Sequence, residues 1–194
     1  MARARRSPEI PWLWFFTDPH RTPDPLAAIT RLPKGAAVVY RPFGAADAEA
    51  TAKALRRLTR ARGLLLLIGA DDALAARIRA DGVHLPERLA HRIIRLKHGH
   101  PAWLVSVAAH GRAAIGKAGY ADAVVLSAVF PSRSASAGPA LGPLRFAQLA
   151  RASRAPVIAL GGVNNKNAPR LLSTGAAGIA AIEGLLQTGQ ALAN

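Results

Sequence analysis

Two adjacent glycines, Gly161 and Gly162, directly follow the apolar run at residues 156–160. Because neither residue has a Cβ atom, the backbone can turn sharply there and an oxyanion can approach the amide groups. Several α/β barrels bind phosphate at glycines placed this way, after their seventh and eighth strands. We therefore predict a phosphate contact at this pair; the alternative is a tight strand-to-helix turn that binds nothing.

The residues after the glycine pair predict a helix and then a second buried strand. Asn167 suits the N-cap position, and Pro169 suits the first turn, where its missing N–H is not needed. Gly175 would end the helix, and residues 178–182 would form the next strand. The whole segment reads as strand, glycine pair, helix, glycine and strand.

Two histidines are the candidates for proton transfer, since imidazole titrates near neutral pH. His110 follows a predicted strand and suits general acid–base work; the alternative is a solvated loop histidine. His84 lies inside a very short strand, where we predict a packed, hydrogen-bonded side chain. Ser132 and Ser134 are candidates for phosphate contacts and Arg133 for contact with an anion, against the alternative of a polar loop that binds nothing.

The composition limits the class of protein. The chain has 194 residues, which suits one domain, and 51% of them are hydrophobic. There is no cysteine, which excludes disulfides and thiolate sites, and no apolar run approaches the roughly 20 residues of a membrane span. We expect a cytoplasmic protein with a single domain over residues 1–194, in which residues 1–9 form a flexible basic arm.

The formal net charge is +15, from 26 Lys and Arg against 11 Asp and Glu. Such a charge favours nonspecific nucleic-acid affinity or the steering of a small anionic substrate. The arginines are spread along the chain, no nucleic-acid-binding motif is present, and genome bias also explains the composition. We expect small phosphorylated ligands as partners and no membrane; a homo-oligomer stays open.

Eight apolar strands alternate with amphipathic helices along the chain. Continuous apolar strands are typical of parallel sheets, and eight is the number that closes a barrel. The sequence therefore predicts a (β/α)8 TIM barrel, with an open doubly wound sheet as the alternative. The predicted strands are residues 12–16, 36–40, 64–68, 82–85, 103–107, 123–126, 156–160 and 178–182. The predicted helices are residues 25–32, 45–62, 72–80, 89–98, 111–118, 144–151, 167–175 and 183–193.

The order of motifs resembles the thiamine phosphate synthase family, which includes the thiazole tautomerases. The resemblance covers nearly the whole chain. Its most specific parts are Ala-Asp-Gly-Val-His-Leu at residues 80–85 and the glycine-pair segment at residues 157–182. Thr-Asp-Pro at 17–19, Ser106 with His110, and the loop at 128–134 add to it.

This resemblance implies a (β/α)8 barrel that joins a pyrimidine methyl diphosphate to a thiazole phosphate and releases diphosphate. Leaving diphosphate would be neutralised by Mg²⁺ and basic side chains. The thiazole phosphate would accept hydrogen bonds from backbone amides at the glycine pair and at Ala181 and Ile182. The resemblance further implies catalytic roles for Arg41, Ser106 and His110, the last as the acid–base of a tautomerase.

The chain departs from the family pattern at the positions that bind magnesium and phosphate groups in the family. Arg41 is kept after the second strand, but Phe43 and Ala135 stand where the family has lysines. Residues 69–70 are Gly-Ala where the family has Asn-Asp, so a ligand for Mg²⁺ is missing. Glu183 stands where a serine often holds phosphate, and a carboxylate there would repel it.

Other acidic residues lie near the missing magnesium ligands. Asp71 and Asp72 either substitute for them or begin the third helix, where carboxylates are favoured. Residues 86–88 are Pro-Glu-Arg where the family has Gly-Gln and an acidic residue. We therefore predict no certain metal site, with Mg²⁺ needed only if synthase activity is retained. The hypotheses are a divergent synthase, a thiazole phosphate tautomerase and a non-catalytic phosphate-ligand binder.

Overall fold

Eight parallel strands close into a barrel in the computed structural model, which describes residues 9–132 and 138–183. Each strand pairs with its neighbours in sequence, and β8 pairs with β1 through Leu13–Ile179 and Phe15–Ala181. This closure confirms the predicted (β/α)8 barrel over the open sheet. The strands are β1 Leu13–Phe16, β2 Ala37–Tyr40, β3 Leu65–Gly69, β4 Gly82–Leu85, β5 Leu104–Ala109, β6 Ala123–Leu126, β7 Val157–Ala159 and β8 Gly178–Ala181.

Nearly every strand residue is buried, which agrees with the continuous apolar runs of a sheet covered on both faces. Alternate residues point inward, where Trp14, Phe16, Val39, Leu67 and Ile158 form one buried cluster. The residues between them point outward and form the larger core beneath the helices. The interior is therefore filled by side chains, and ligands must bind at its ends.

Six α-helices surround the barrel in the described part of the chain. They are α1 Pro25–Ile29, α2 Ala48–Arg62, α3 Asp72–Arg77, α4 Ile93–Gly99, α5 Arg112–Lys117 and α6 Gly142–Arg151. A 3-10 segment, Glu87–Arg92, precedes α4. Helix α2 begins three residues later than predicted and ends, as expected, at Gly63 in the left-handed conformation, φ 64°. No described helix is long and apolar enough to cross a membrane.

The helix predicted at 167–175 is wrong in type and length, since only a short 3-10 segment, Ala168–Leu171, forms there. Asn167 does occupy the N-cap position, but its side chain makes no capping bond to the segment. Instead its amide donates to the carbonyl of Gly162 and its carbonyl oxygen accepts from the backbone N–H of Asn164. The asparagine thus ties the segment to the glycine turn.

Two predicted segments fall mostly beyond the described residues. The basic arm at 1–9 lies outside them except for Glu9, and the last helix at 183–193 lies outside them except for Glu183. The barrel described above accounts for residues 13–181.

Candidate functional site

A cavity of about 320 Å³ opens at the carboxyl ends of β7 and β8. Functional sites of α/β barrels form at this face, from the loops that follow the strands. The cavity brings together five of the residues predicted to contact phosphate: Gly161, Gly162, Ala181, Ile182 and Ser132. Its other walls are Arg21, Pro131, Leu160, Val163, Asn164, Ala180 and Glu183.

Gly161 and Gly162 both adopt positive φ angles, +96° and +65°, which side chains disfavour. A Cβ atom on Gly161 would lie 2.7 Å from the Cα of Ala128, and one on Gly162 would lie 2.3 Å from the carbonyl oxygen of Pro131. The glycines are therefore required for the turn and also for the close approach of the loop after β6. The tight-turn role and an anion-binding role are compatible at this pair.

The loop after β6 covers the glycine turn through backbone hydrogen bonds. Val129 donates to the carbonyl of Leu160 at 2.9 Å, and Phe130 donates to that of Gly161 at 3.0 Å. This places Ser132 at the cavity wall. Arg133 and Ser134, the other predicted contacts of this loop, lie outside the described residues.

Arg41 lies at the mouth of the barrel, directly after β2. Its Nε donates to the carbonyl of Thr17 at 2.8 Å, and its guanidinium carbon lies 5.6 Å from the centre of the Phe16 ring. Its Nη2 is 3.5 Å from a carboxylate oxygen of Asp18. Burial lowers the pKa of Arg41, while the charge of Asp18 opposes that change. Arg41 is thus held above the barrel interior and does not line the 320 Å³ cavity.

Ser106 is fully buried inside the barrel, with its hydroxyl 3.0 Å from Nδ1 of His84. The His84 ring meets the Phe16 ring edge-on. Burial, with a smaller contribution from the charge of Arg41, lowers the pKa of His84 to about 3. His84 is therefore neutral at pH 7, in the packed and hydrogen-bonded state that the sequence predicted. Ser106 supports His84, and a catalytic role for this serine stays a prediction.

His110 follows β5 and pairs with Glu87, which follows β4. One Glu87 carboxylate oxygen lies 2.8 Å from Nδ1 of His110 and also accepts from the His110 backbone N–H at 3.1 Å. The side chains are 51% and 41% exposed. Sequence reasoning missed this partner, although residues that directly follow neighbouring parallel strands meet at one edge. The pair is separate from the 320 Å³ cavity.

Arg21 is the second residue that sequence reasoning missed. It lies in the loop after β1, yet its side chain reaches the cavity between β7 and β8 because β1 pairs with β8. Its Nη2 is 3.1 Å from Asp18, and its Nε is 3.9 Å from Glu183. Barrel closure was the available signal, since it makes the first and last loops neighbours.

The acidic residues near the predicted magnesium position are already bonded to protein groups. Asp71 accepts from the backbone N–H of Leu74 at 2.8 Å as the N-cap of α3, and Asp72 pairs with Arg92 at 2.6 Å. Among residues 9–132 and 138–183, no three His, Asp or Glu side chains cluster as metal ligands. Asp71 and Asp72 thus begin α3, and these two carboxylates, already bonded there, do not fit a Mg²⁺ site.

Comparison with known proteins gives one consistent family. A family profile described as thiamine monophosphate synthase matches residues 13–185. The thiamine-phosphate synthase of Alcanivorax borkumensis is 32% identical over 183 residues, which cover 89% of this chain and 84% of that protein. A Geobacter sulfurreducens protein, provisionally named thiamine-phosphate synthase, is 39% identical over 140 residues. That match covers 70% of this chain but only 65% of the Geobacter protein.

Solved structures agree with the sequence matches. The thiamine phosphate pyrophosphorylase of Pyrococcus furiosus superposes with a TM-score of 0.76 at 27% identity, covering 90% of this chain and 86% of that one. A structure described as native KDPGal, 19% identical with a TM-score of 0.63, shares the fold alone.

Proposed function

This chain belongs to the thiamine monophosphate synthase family, and we propose that it is a transferase-type enzyme of thiamine biosynthesis that handles a thiazole phosphate. The observation that carries the proposal is the cavity at the ends of β7 and β8, with Gly161 and Gly162 in its wall. Backbone N–H groups at such a turn, together with those at Ala181 and Ile182, suit a phosphate ester.

The reaction we propose is the family's: the C–O bond of the pyrimidine methyl diphosphate breaks, the pyrimidinylmethyl unit bonds to the thiazole phosphate, and diphosphate is released. The phosphate anchors the thiazole at one side of the mouth and so fixes the distance of its ring from the barrel axis. In this proposal Arg41, held over Phe16 by Thr17 and Asp18, is the cation that faces the leaving diphosphate. Its guanidinium would offset charge that builds as the bond to diphosphate breaks.

The diphosphate side is the weaker half of this site. Where the resemblance implies a lysine, Phe43 stands 65% exposed, with the Arg41 guanidinium 5.1 Å from its ring centre. Asp71 caps the N-terminus of α3, and Asp72 forms an ion pair with Arg92. We therefore propose a divergent enzyme in which thiazole phosphate binding is retained and diphosphate binding is weakened.

An assay with both substrates tests this reaction. Thiamine phosphate should form slowly and at a rate that added Mg²⁺ or EDTA changes little. Arg41→Ala should abolish the residual formation, whereas the matched control Arg57→Ala, on the exposed face of α2, should leave it unchanged. Robust formation that depends on Mg²⁺ would show that the diphosphate side is intact and would refute the divergence.

The His110–Glu87 pair favours a second candidate, a thiazole phosphate tautomerase. Tautomerisation needs one group that removes a proton from the thiazole and a donor that returns one elsewhere. An exposed histidine at the carboxyl end of β5, with a carboxylate 2.8 Å from Nδ1, suits both steps. The carboxylate would fix the ring and stabilise the imidazolium that forms.

Mixing the protein with the thiazole phosphate tautomer and following the ultraviolet spectrum tests the second candidate. Conversion should be lost in His110→Ala and retained in His98→Ala, a control on the exposed face of α4. Binding of the ligand without conversion, in the wild type as in His110→Ala, would identify a non-catalytic binder instead.

A further inference from the structure

Arg21 lines the 320 Å³ cavity at the ends of β7 and β8, although it lies in the loop after β1. Among the described residues that line the cavity, it carries the positive charge and Glu183 the negative one. The Arg21 side chain is 26% exposed and is held on one side by Asp18, 3.1 Å from Nη2. It therefore faces the same space as the amides of Gly161 and Gly162.

Asp18 is itself fixed by the turn that follows β1. Its Oδ1 accepts from the backbone N–H groups of His20 and Arg21 at 3.1 and 3.2 Å, while its Oδ2 faces the Arg21 guanidinium. Burial opposes ionisation, but the hydrogen bonds from Arg21 outweigh it and lower the pKa of Asp18. The carboxylate is therefore charged at neutral pH and holds Arg21 through Nη2.

The contact between Arg21 and Glu183 is much looser. The distance from Nε to the Glu183 carboxylate is 3.9 Å, too long for a hydrogen bond, and the Glu183 side chain is 41% exposed. Ion pairs this exposed contribute little stability. A phosphate that enters the cavity can therefore replace Glu183 as the partner of the Arg21 guanidinium, while the contact between Arg21 and Asp18 stays intact.

We infer that Arg21 is the side chain that distinguishes a phosphate ester from the corresponding alcohol in this cavity, with Asp18 as its positioning residue. The inference rests on the proposed thiazole phosphate site. With one Nη2–H donated to Asp18, the guanidinium keeps its Nε–H, which faces Glu183 in the cavity, for a phosphate oxygen. The charge of Arg21 also offsets the repulsion between the phosphate and Glu183. Backbone amides carry no net charge and could not offset this repulsion alone.

Calorimetric titration of the full chain with thiazole phosphate, the thiazole alcohol and inorganic phosphate tests the role of Arg21. Arg21→Ala should weaken thiazole phosphate binding by about 10- to 100-fold, the usual effect of a lost charge-assisted hydrogen bond. Its affinity for the alcohol should not change, and Arg21→Lys should recover part of the loss. Arg31→Ala, which removes an exposed arginine next to α1, is the matched control and should bind like the wild type.

The outcomes separate this inference from the proposed function. If the wild type binds thiazole phosphate and Arg21→Ala binds it equally well, the role of Arg21 is overturned while the proposed site stands. If the wild type binds neither thiazole phosphate nor inorganic phosphate, both are overturned. A loss of affinity that is equal for phosphate and alcohol would indicate a damaged cavity and would also overturn the role.

The positioning role of Asp18 has its own readout. Asp18→Asn should lower the ratio of phosphate to alcohol affinity in the wild-type background and have no further effect when combined with Arg21→Ala. A merely structural aspartate would lower both affinities equally and would do so with or without Arg21. That result would overturn the positioning role.

Discussion

Gly161 and Gly162 serve the cavity and the loop that covers it at the same time. Their positive φ angles turn the backbone after β7, and their lack of a Cβ admits the loop at Ala128–Pro131. A residue that satisfies two constraints at once has few acceptable substitutes. At the residue scale, the proposed phosphate site therefore depends most on this turn.

Gly162→Ala should therefore disturb both the turn that lines the cavity and the packing of the loop after β6. Its Cβ would lie 2.3 Å from the Pro131 carbonyl oxygen at a φ of +65°, so we expect a loss of about 1–3 kcal/mol in the free energy of unfolding. Thiazole phosphate binding should weaken with it, as the loop is displaced. Chemical denaturation and calorimetry measure the two effects.

Gly138→Ala is the matched control for that variant. Gly138 lies in the loop after β6, and a Cβ there would meet no atom of the described residues within 4 Å. It should leave both stability and binding unchanged. Equal behaviour of the two variants would contradict the role given to the glycine turn.

His84 should make the stability of the protein depend on pH. Its pKa is about 3 in the folded state, against 6.5 for a free histidine. Between these values the unfolded chain binds a proton that the folded protein does not, so stability falls as pH is lowered. The slope from this residue should be about 1.4 kcal/mol per pH unit below pH 6.5.

Denaturation of the wild type and of His84→Asn at several pH values from 7 to 4.5 checks this slope. The variant should lose most of the wild-type slope, whereas His98→Gln, on the exposed face of α4, should keep it. A wild-type stability that stays constant over this range would contradict the assignment of a neutral, buried His84.

At the element scale, the bounds of the strands agree better with the sequence-based predictions than do the bounds of the segments between them. β4 and β6 have the predicted bounds, and in β6 the run Ala123–Leu126 is apolar throughout. The segment after Asn167 could not be predicted, since the Asn167 side chain bonds to Gly162 rather than to the helix it precedes. Such a tertiary contact leaves no periodic signal in the chain.

The two ends of the barrel have different roles, and Asp81 shows the role of the amino-terminal end. It lies just before β4, accepts from the backbone N–H of Leu66 at 2.8 Å and pairs with Arg56 at 2.5 Å. Asp81→Ala should cost about 1–3 kcal/mol of stability, because it leaves these donors unsatisfied. Thiazole phosphate affinity should not change, since the proposed site is at the opposite end of the barrel.

Thermal or chemical denaturation alongside calorimetry checks this separation. Asp47→Ala, an exposed aspartate before α2, should change stability much less. A loss of ligand affinity in Asp81→Ala, in protein that remains folded, would contradict the division of roles between the two ends.

At the scale of the whole molecule, closure of the barrel explains what sequence reasoning could and could not find. It brings the loop after β1 against β8, which makes Arg21 a neighbour of Gly161 and Glu183. The glycine pair was predictable because its chemistry is local to one segment. Arg21 and Glu87 were not predictable, because the role of each depends on a residue that is distant in the sequence and follows another strand.

The net charge of +15 belongs to the molecule as a whole and predicts salt-dependent affinity for nucleic acids. We expect gel-shift binding to unrelated RNA sequences that weakens steeply between 50 and 200 mM salt, as release of counterions requires. Sequence-selective binding, or binding that salt does not change, would contradict a purely electrostatic origin.

We propose that the thiazole phosphate side of the site is retained while the diphosphate side has lost its magnesium chemistry. The most direct test is the thermal stability of the full chain with thiazole phosphate or with diphosphate, each with Mg²⁺ and with EDTA. We predict that thiazole phosphate raises Tm equally with Mg²⁺ and with EDTA, and that diphosphate with Mg²⁺ does not raise Tm. A rise in Tm with diphosphate that requires Mg²⁺, or no rise with thiazole phosphate, would contradict it.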